Sequence, residues 1–258
     1  MKVFIITPEE LYPSGAGIQL TARLEGERFH YLVRVRRLDV GSVFEAVVND
    51  QKMQALILSK DATSVAVSLT PLVAPPADFP RLYLMAALLK GRKLDDVVRQ
   101  AAELGTAIFQ PLQTEHCVAK WQEDQPEARL KRWNTLAREA CQQSGAYPVM
   151  EVRPAQSLEF TLRQWDKRGP LLFFHQTPLA KASLHGYLSC HPSHIGILIG
   201  PEGGFSQGET DFLMNQGANP VWFGPTVFRA ETASTAALAA VKILLLESST
   251  WTTPSSKM

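Results

Sequence analysis

Alternation of apolar and polar residues marks the first part of the chain as β-structure. Three runs alternate with the period of two that a half-buried strand requires. They span residues 43–48, 54–58 and 64–69. The turn-forming pairs Asn49-Asp50 and Lys60-Asp61 separate these runs. The pattern therefore predicts a small β-barrel over residues 1–72.

The pattern changes after a proline-rich segment, residues 73–80, which predicts a stiff linker. Beyond it, apolar runs alternate with helical patterns, as in an α/β domain with a mainly parallel sheet. The predicted strands span residues 82–89, 108–112, 171–174, 195–199 and 221–223. The predicted helices span residues 93–104, 126–143 and 232–247. We expect this domain to cover residues 81–250, with a flexible polar tail at 251–258.

Two of these helices have apolar sides that need a partner. The apolar side of the helix at 126–143 consists of Leu130, Trp133, Leu136, Ala137 and Ala140. The final helix carries Leu238, Val241, Leu244 and Leu245. Those four residues serve either the core of the domain or a contact between two copies of the chain.

Composition adds limits to this picture. A chain of 258 residues that is 45% hydrophobic and 20% charged has enough core for one or two globular domains. No run approaches the roughly 20 apolar residues of a membrane helix. The three cysteines, Cys117, Cys141 and Cys190, are scattered without metal-ligand spacing and read as reduced thiols. We therefore expect a cytoplasmic protein with no metal site and no membrane partner.

The segment Gly200-Pro-Glu-Gly-Gly-Phe-Ser206, called the glycine turn below, is the most informative part of the chain. It follows an apolar strand, and Ser206 with Glu209 forms a capping-box pattern that opens a helix. Glycines at such a place let the backbone approach a ligand closely. A phosphate-binding loop would carry lysine, whereas this turn carries Glu202. The carboxylate favours a neutral or cationic ligand, such as the sulfonium of S-adenosylmethionine; the alternative is a plain strand-to-helix turn.

Residues 223–233 form a second unusual segment, in which Gly-Pro interrupts an apolar run before a long helix. Arg229 and Glu231 lie just before that helix. Charged residues are rarely buried in an apolar loop, so their presence there indicates a functional role. In the alternative interpretation, Thr232 caps the helix and Arg229 pairs with Glu231.

Charge is nearly balanced, with a formal net charge of +1, which argues against a protein whose whole surface binds nucleic acid. Basic residues are instead clustered in three places. The clusters are His30, Arg34, Arg36 and Arg37; Lys90, Arg92 and Lys93; and Arg129, Lys131, Arg132 and Arg138. Alternation places Arg34 and Arg36 on one face of a predicted strand. Each cluster is either a solvated surface or a set of local phosphate contacts.

The two glycine-containing segments together resemble the RsmE family of SPOUT methyltransferases. The resemblance is carried by Gly200-Pro-Glu-Gly-Gly-Phe-Ser206 and by Phe223-Gly-Pro-x-x-x-Arg-x-Glu-Thr-Ala233. It extends nearly from end to end. The other matching segments are His30-Tyr31-Leu32, Val35-Arg36, Lys90 to Gly105, Pro111, Thr114-Glu115, Arg132-Trp133 and Glu139 to Gly145.

The resemblance implies an enzyme that uses S-adenosylmethionine to methylate N3 of a uridine in small-subunit ribosomal RNA, as RNA or as the 30S subunit. It implies a SPOUT-type α/β fold with a deep C-terminal trefoil knot, preceded by a PUA-like β-barrel that binds RNA. It also implies a homodimer.

The same resemblance assigns roles to residues. The implied cofactor-binding residues are Phe174, Ile199, Gly200, Gly203, Gly204, Phe223, Gly224, Pro225, Phe228, Thr232 and Ala233. Arg229 is the implied catalytic residue, with either Glu202 or Glu231 accepting a proton or positioning Arg229. The implied RNA-binding residues are His30, Arg34, Arg36, Arg37, Lys90, Arg92, Lys93 and Arg132.

The chain departs from the family pattern at three positions where arginine is usual: Thr226, His116 and Ala146. Loss of these arginines weakens the expected contacts with RNA phosphates. Two alternatives therefore stay open. One is a SPOUT methyltransferase that acts on another RNA such as transfer RNA, and the other is a non-catalytic RNA-binding factor in ribosome assembly.

Overall fold

The computed structural model describes residues 4–13, 20–49, 51–72, 79–121, 125–165, 168–190 and 192–248. Most of the predicted linker, Asp50 of one predicted turn and the whole predicted tail lie outside the described residues. The described chain divides into two compact units. The first contains the described residues before 78 together with Gln142–Pro148, and the second contains the rest.

The first unit is built on a six-stranded sheet. Its strands are β1 (Phe4–Ile6), β2 (Leu11–Pro13), β3 (Leu20–Glu25), β4 (Val43–Val48), β5 (Gln51–Lys60) and β6 (Ser64–Pro71). They lie in the order β1-β4-β5-β6-β3-β2, and all pairs except β1 with β4 are antiparallel. Met53, Ala55 and Ile57 of β5 are buried while the residues between them are exposed, so the alternation predicted for residues 54–58 is confirmed. In β6 the prediction of a half-buried strand is wrong, because Ser64 and Ser68 are buried as well.

The predicted strand face for Arg34 and Arg36 is wrong. A short helix, α1 (Gly26–Phe29), continues directly into a π-helical turn, His30–Val35. Leu32 is fully buried in the hydrophobic core of this unit, and this burial favours the helical turn. Arg36 N donates to Tyr31 O at 2.9 Å, the spacing of five residues that defines a π-helix. Residues two positions apart in a helical turn do not share a face.

The second unit contains a parallel sheet of seven strands. They are β7 (Arg81–Ala87), β8 (Ile108–Gln113), β9 (Glu151–Val152), β10 (Gln156–Ser157), β11 (Leu171–His175), β12 (His194–Ile199) and β13 (Asn219–Trp222). The order is β10-β8-β7-β12-β11-β13, with β9 also paired to β8. β7 and β12 are buried along almost their whole lengths, as expected for the centre of a parallel sheet covered by helices. The mixed α/β class is confirmed.

Six helices accompany this sheet in sequence. They are α2 (Lys93–Glu103), α3 (Pro126–Ser144), α4 (Leu158–Trp165), α5 (Leu184–Leu188), α6 (Gln207–Asn215) and α7 (Ala230–Ser248). In α7, Leu238, Val241 and Leu245 are buried, so they belong to the core rather than to a free surface; Leu244 is half-buried. None of the helices in the described part of the chain is long and apolar enough to span a membrane.

The apolar side of α3 differs from its prediction. Trp133, Ala137 and Ala140 are buried as expected, whereas Leu130 and Leu136 are only half-buried. Arg129, from the third basic cluster, is only 5% exposed. Its guanidinium lies over the ring of Trp133, 4.9 Å from the centroid, which accommodates a buried cation.

Candidate active site

An open cleft lies at the carboxyl ends of β11, β12 and β13. These strands are neighbours in the sheet, in the order β12-β11-β13. The carboxyl ends of parallel strands are the usual place for ligands in α/β proteins, because the loops that follow the strands converge there.

Most of the predicted cofactor-binding residues meet in this cleft. Those that line it are Phe174, Ile199, Gly200, Gly204, Phe223, Gly224, Phe228 and Ala233. Gly203, Pro225 and Thr232 do not line it. Glu202, predicted as a catalytic residue, lines the cleft too. The lining residues with no predicted cofactor or catalytic role are His175, Gln176, Pro201, Phe205, Thr226, Val227 and Ala230. Their signal in the sequence is their position directly after predicted strands or within the two glycine-containing segments.

The glycine turn has the local structure that its sequence predicts. Ser206 Oγ accepts a hydrogen bond from Glu209 N at 3.2 Å, and Ser206 N donates to Glu209 Oε2 at 2.9 Å. This capping box opens α6. Gly204 has φ +71°, and a Cβ placed on Gly200 would lie only 3.1 Å from Phe205 N. Both positions therefore require glycine, one for its conformation and the other for close packing.

A loop after β8 contacts the glycine turn through residues to which the sequence assigned no such role. Glu115 N donates to Glu209 Oε1 at 2.8 Å. The ring of His116 lies against the turn, with Nδ1 3.2 Å from both Gly203 O and Gly204 O. These contacts bring together residues far apart in sequence, so no local pattern could reveal them.

Three phenylalanines form one wall of the cleft. The rings of Phe174 and Phe223 stack with their centroids 4.6 Å apart, and the Phe223 and Phe228 centroids are 5.0 Å apart. Phe228 remains partly exposed. Such a wall suits a flat aromatic group such as a nucleobase.

His175 ends β11 and lines the same cleft. Its Nδ1 lies 3.2 Å from Thr177 N, which donates, and 2.8 Å from Thr177 Oγ1. Since Nδ1 accepts from a backbone N–H, the neutral ring carries its proton on Nε2. The imidazole therefore has a fixed tautomer, with Nε2 as a donor.

Glu202 pairs with Lys93 at the edge of the cleft. Lys93 Nζ lies 2.7 Å from Glu202 Oε1, and both side chains are about two-fifths exposed. The hydrogen bond from Lys93 lowers the pKa of Glu202, and the same bond raises the pKa of Lys93. Glu202 is consequently a weak proton acceptor, and Lys93, a predicted RNA-binding residue, is engaged by a carboxylate.

Arg229 is exposed immediately before α7, and neither it nor Glu231 lines the cleft. Within the described residues no ion pair joins these two side chains, and Glu231 Oε2 is buried without a hydrogen-bond partner. α7 begins at Ala230, which places Thr232 inside its first turn rather than at the N-cap. The alternative of a Thr232 cap with an Arg229–Glu231 pair is therefore wrong.

The remaining predicted RNA-binding residues differ in their freedom to bind. Those that are exposed are His30, Arg34, Arg36 and Arg37 in the first unit, and Lys90 and Arg92 in the second. Arg132 donates from Nη2 to the buried Asp95 Oδ1 at 2.9 Å. Across the described ranges, no three His, Cys, Asp or Glu side chains come together as a metal site.

Comparison with known proteins places this geometry among RNA methyltransferases. A family model described as an RNA methyltransferase domain matches residues 77–242. Ribosomal RNA small subunit methyltransferase E of Synechocystis sp. is 31% identical, over 93% of this chain and 77% of that protein. The Bacillus subtilis protein of the same name is 27% identical, over 86% and 89% of the two chains.

Solved structures agree in fold. A methyltransferase from Legionella pneumophila, determined with the bound cofactor SAM, has a TM-score of 0.72 and 25% identity. The match covers 94% of this chain and 98% of that one. Ribosomal RNA small subunit methyltransferase E from Neisseria gonorrhoeae has a TM-score of 0.74 and 22% identity, over 95% and 98% of the chains.

Proposed function

The chain belongs to the RNA methyltransferase family that includes ribosomal RNA small subunit methyltransferase E, and we propose that it methylates N3 of a uridine in small-subunit ribosomal RNA. The methyl donor is S-adenosylmethionine. The observation that carries this proposal is the cleft at the carboxyl ends of β11, β12 and β13, where the glycine turn faces an aromatic wall.

The residues of the cleft fit this cofactor. Gly200 and Gly204 keep the backbone of the glycine turn free of side chains, so that its polar groups can approach a ligand. Phe174 and Phe223 offer stacked rings to an adenine. Glu202 supplies a carboxylate beside a site for a positively charged sulfonium. When bound, the cofactor supplies an electrophilic methyl group.

The target atom sets further requirements. Uridine N3 carries a proton and is a poor nucleophile until that proton leaves. It also lies on the Watson–Crick edge, so the base must be unpaired before it can react. Methyl transfer from the bound cofactor would replace the N3 proton by a methyl group, so the protein must supply a group that accepts that proton.

We assign the stabilising charge to Arg229 and the proton acceptor to Glu231. Arg229 is exposed within the second segment and carries the permanent positive charge that stabilisation of a developing uracil anion requires. Of the two candidate carboxylates, Glu202 is held by Lys93, whereas Glu231 has one oxygen without a partner in the described structure. Glu231 is therefore the better candidate for the base.

The finer architecture is also part of the proposal. We assign residues 1–72 to a PUA-like RNA-binding barrel, supported by its six-stranded sheet and its exposed basic residues. We assign residues 81–250 to a SPOUT domain with a C-terminal trefoil knot. The strand order supports this assignment, because β12 returns to a position between β7 and β11. A cytoplasmic homodimer completes the proposal, as in the family resemblance.

Transfer of labelled methyl from S-adenosylmethionine to small ribosomal subunits lacking the native modification tests the function. Naked ribosomal RNA and transfer RNA are assayed in parallel, with nucleoside analysis after digestion. Already modified subunits are the matched control. We expect label as N3-methyluridine in the unmodified subunits alone. Label in transfer RNA instead would contradict the proposed substrate. Absence of transfer to any RNA would contradict the proposed methyltransferase activity.

A further inference from the structure

Position 116, where the family usually has arginine, holds a histidine whose ring contacts the glycine turn. His116 Nδ1 lies 3.2 Å from Gly203 O and 3.2 Å from Gly204 O. Carbonyl oxygens only accept hydrogen bonds, so Nδ1 must carry the hydrogen that both share. The glycine turn thus fixes the tautomer of His116, and His116 in return fixes two carbonyl groups of the turn.

Independent contacts hold the histidine at this place. The neighbouring Glu115 N donates to Glu209 Oε1 at 2.8 Å, and the other oxygen of that carboxylate accepts from Ser206 N. A Cβ on Gly203 would lie 3.2 Å from His116 Cβ, closer than most such contacts. The ring is therefore attached through a loop that is itself bonded to the start of α6.

The fixed carbonyl of Gly204 determines where the next N–H points. The peptide between Gly204 and Phe205 is planar and trans, so its N–H points away from its carbonyl and hence away from His116. Gly204 and Phe205 both line the cleft, whereas His116 does not. Phe205 is only 6% exposed, and within the described residues its N–H has no hydrogen-bond partner.

An N–H without a protein partner at the wall of a cleft can donate to an acceptor atom of a bound ligand. Gly200 leaves the donor accessible, since any Cβ at that position would lie 3.1 Å from Phe205 N. We propose that His116 is a positioning residue that directs the Phe205 N–H towards an acceptor atom of S-adenosylmethionine. This inference rests on the proposed function of the cleft.

Calorimetric titration of S-adenosylmethionine separates the role of the ring from general stability. The variants are His116→Leu, His116→Asn and Val118→Ser, the last changing a side chain in the same loop that is 77% exposed. Asparagine places an amide nitrogen near the position of Nδ1 and can donate to both carbonyls. We expect Kd to rise about three- to tenfold for His116→Leu, the loss typical of a hydrogen bond, and to stay within about twofold for the other two.

Two further measurements exclude a merely structural effect. In methyl-transfer assays, His116→Leu should raise KM for the cofactor and leave kcat at saturating cofactor within about twofold. In ¹⁵N NMR spectra, the Phe205 amide should shift on cofactor binding in the wild type and in His116→Asn, and should shift less in His116→Leu.

The results of these measurements distinguish failure of the role of His116 from failure of the proposed function. A wild-type protein that binds no S-adenosylmethionine overturns the proposed function. Cofactor binding by the wild type with an unchanged Kd in His116→Leu overturns only the role of His116. A loss confined to RNA affinity would assign His116 to a phosphate contact, as for the family arginine, and would also overturn the inference.

Discussion

Gly200 and Gly204 meet different physical demands in the glycine turn. A Cβ on Gly200 would press on the backbone of Gly204 and Phe205, with closest distances of 3.1 Å. Gly204 has free space around it, but its φ of +71° is one that L-residues rarely adopt. Backbone cannot yield as a flexible side chain can, so the position of Gly200 is the more sensitive to substitution.

We expect Gly200→Ala to raise Kd for S-adenosylmethionine more than tenfold, because the turn must shift to accept the methyl group. Gly208→Ala is the matched control. Its Cβ would meet nothing nearer than Ser206 Oγ at 3.9 Å, and alanine in a helix is more stable than glycine by about 0.5–1 kcal/mol. Calorimetry and denaturant unfolding measure the two effects. Wild-type affinity in Gly200→Ala would refute the packing argument.

Arg229 is expected to act on the reaction rather than on cofactor binding, because it does not line the cleft. Arg229→Ala should lower kcat at least about a hundredfold, the usual loss for a group that stabilises developing charge. Kd for S-adenosylmethionine should stay within a few-fold. Arg229→Lys keeps the charge without the planar fork and should recover part of kcat. An equal loss of binding and turnover in Arg229→Ala would make its role structural.

The ion pair between Lys93 and Glu202 joins the first turn of α2 to the glycine turn. The pKa of Glu202 is lowered below its ordinary value of 4.5, so the pair is complete above that pH and is lost as pH falls through the lowered value. The pKa of Lys93 is raised above 10.5, so the pair is present below that pH and is lost as pH rises through the raised value. The pair is therefore intact throughout the neutral range.

We predict that Glu202 contributes no ionisation to the pH dependence of methyl transfer near neutrality. Profiles of kcat/KM between about pH 5 and 9 should have the same shape in wild type and Glu202→Gln. Glu231→Gln should lower kcat/KM across this range, since Glu231 is the assigned base. A changed profile with lower kcat/KM in Glu202→Gln alone would reverse the assignment.

Asp95 connects α2 to α3 from a buried position. Its Oδ1 accepts from Arg132 Nη2 and from Trp133 Nε1, both at 2.9 Å. Asp95→Ala leaves both donors without this acceptor, and we expect it to lower the free energy of unfolding by about 2–3 kcal/mol. Asp96→Ala removes an exposed carboxylate that pairs with the exposed Arg99 and should change the free energy of unfolding by less than about 0.5 kcal/mol. Similar decreases in the free energy of unfolding of Asp95→Ala and Asp96→Ala, measured by denaturant unfolding, would contradict the structural role of Asp95.

Elements with a strong local signal could be predicted from the sequence. The capping box of Ser206 and Glu209 lies where expected, and the strands at 82–89 and 195–199 differ from β7 and β12 by at most two residues at an end. Strands of two or three residues, such as β9 and β10, show no period and were missed. The π-helical turn at His30–Val35 was missed because burial of Leu32 outweighs the apparent alternation.

The candidate site was predictable only as far as its residues lie on contiguous motifs. The glycine turn and the second segment supplied most of the cleft. The brace from His116 and the pair between Lys93 and Glu202 could not be predicted, because each joins residues 87 or more positions apart. Spacing in sequence carries no information on such contacts until the strand order is known.

We assign cofactor binding and RNA binding to different compact units. The cofactor cleft lies wholly in the second unit, and the largest exposed basic cluster lies in the first. The net charge of +1 implies that RNA affinity depends on a few local contacts rather than on the field of the whole protein. Removal of contacts in the first unit should then weaken RNA binding without changing cofactor affinity.

We expect the double variant Arg34→Ala and Arg36→Ala to reduce the steepness of log K for RNA against log salt by about 1.4, the loss of two single-strand phosphate contacts. Kd for S-adenosylmethionine should not change. Arg23→Ala is the matched control, since Arg23 is exposed in the same unit but pairs with Glu25 at 2.8 Å. Its salt dependence should equal that of the wild type. An unchanged slope in the double variant would remove this cluster from the RNA interface and leave RNA binding to the second unit.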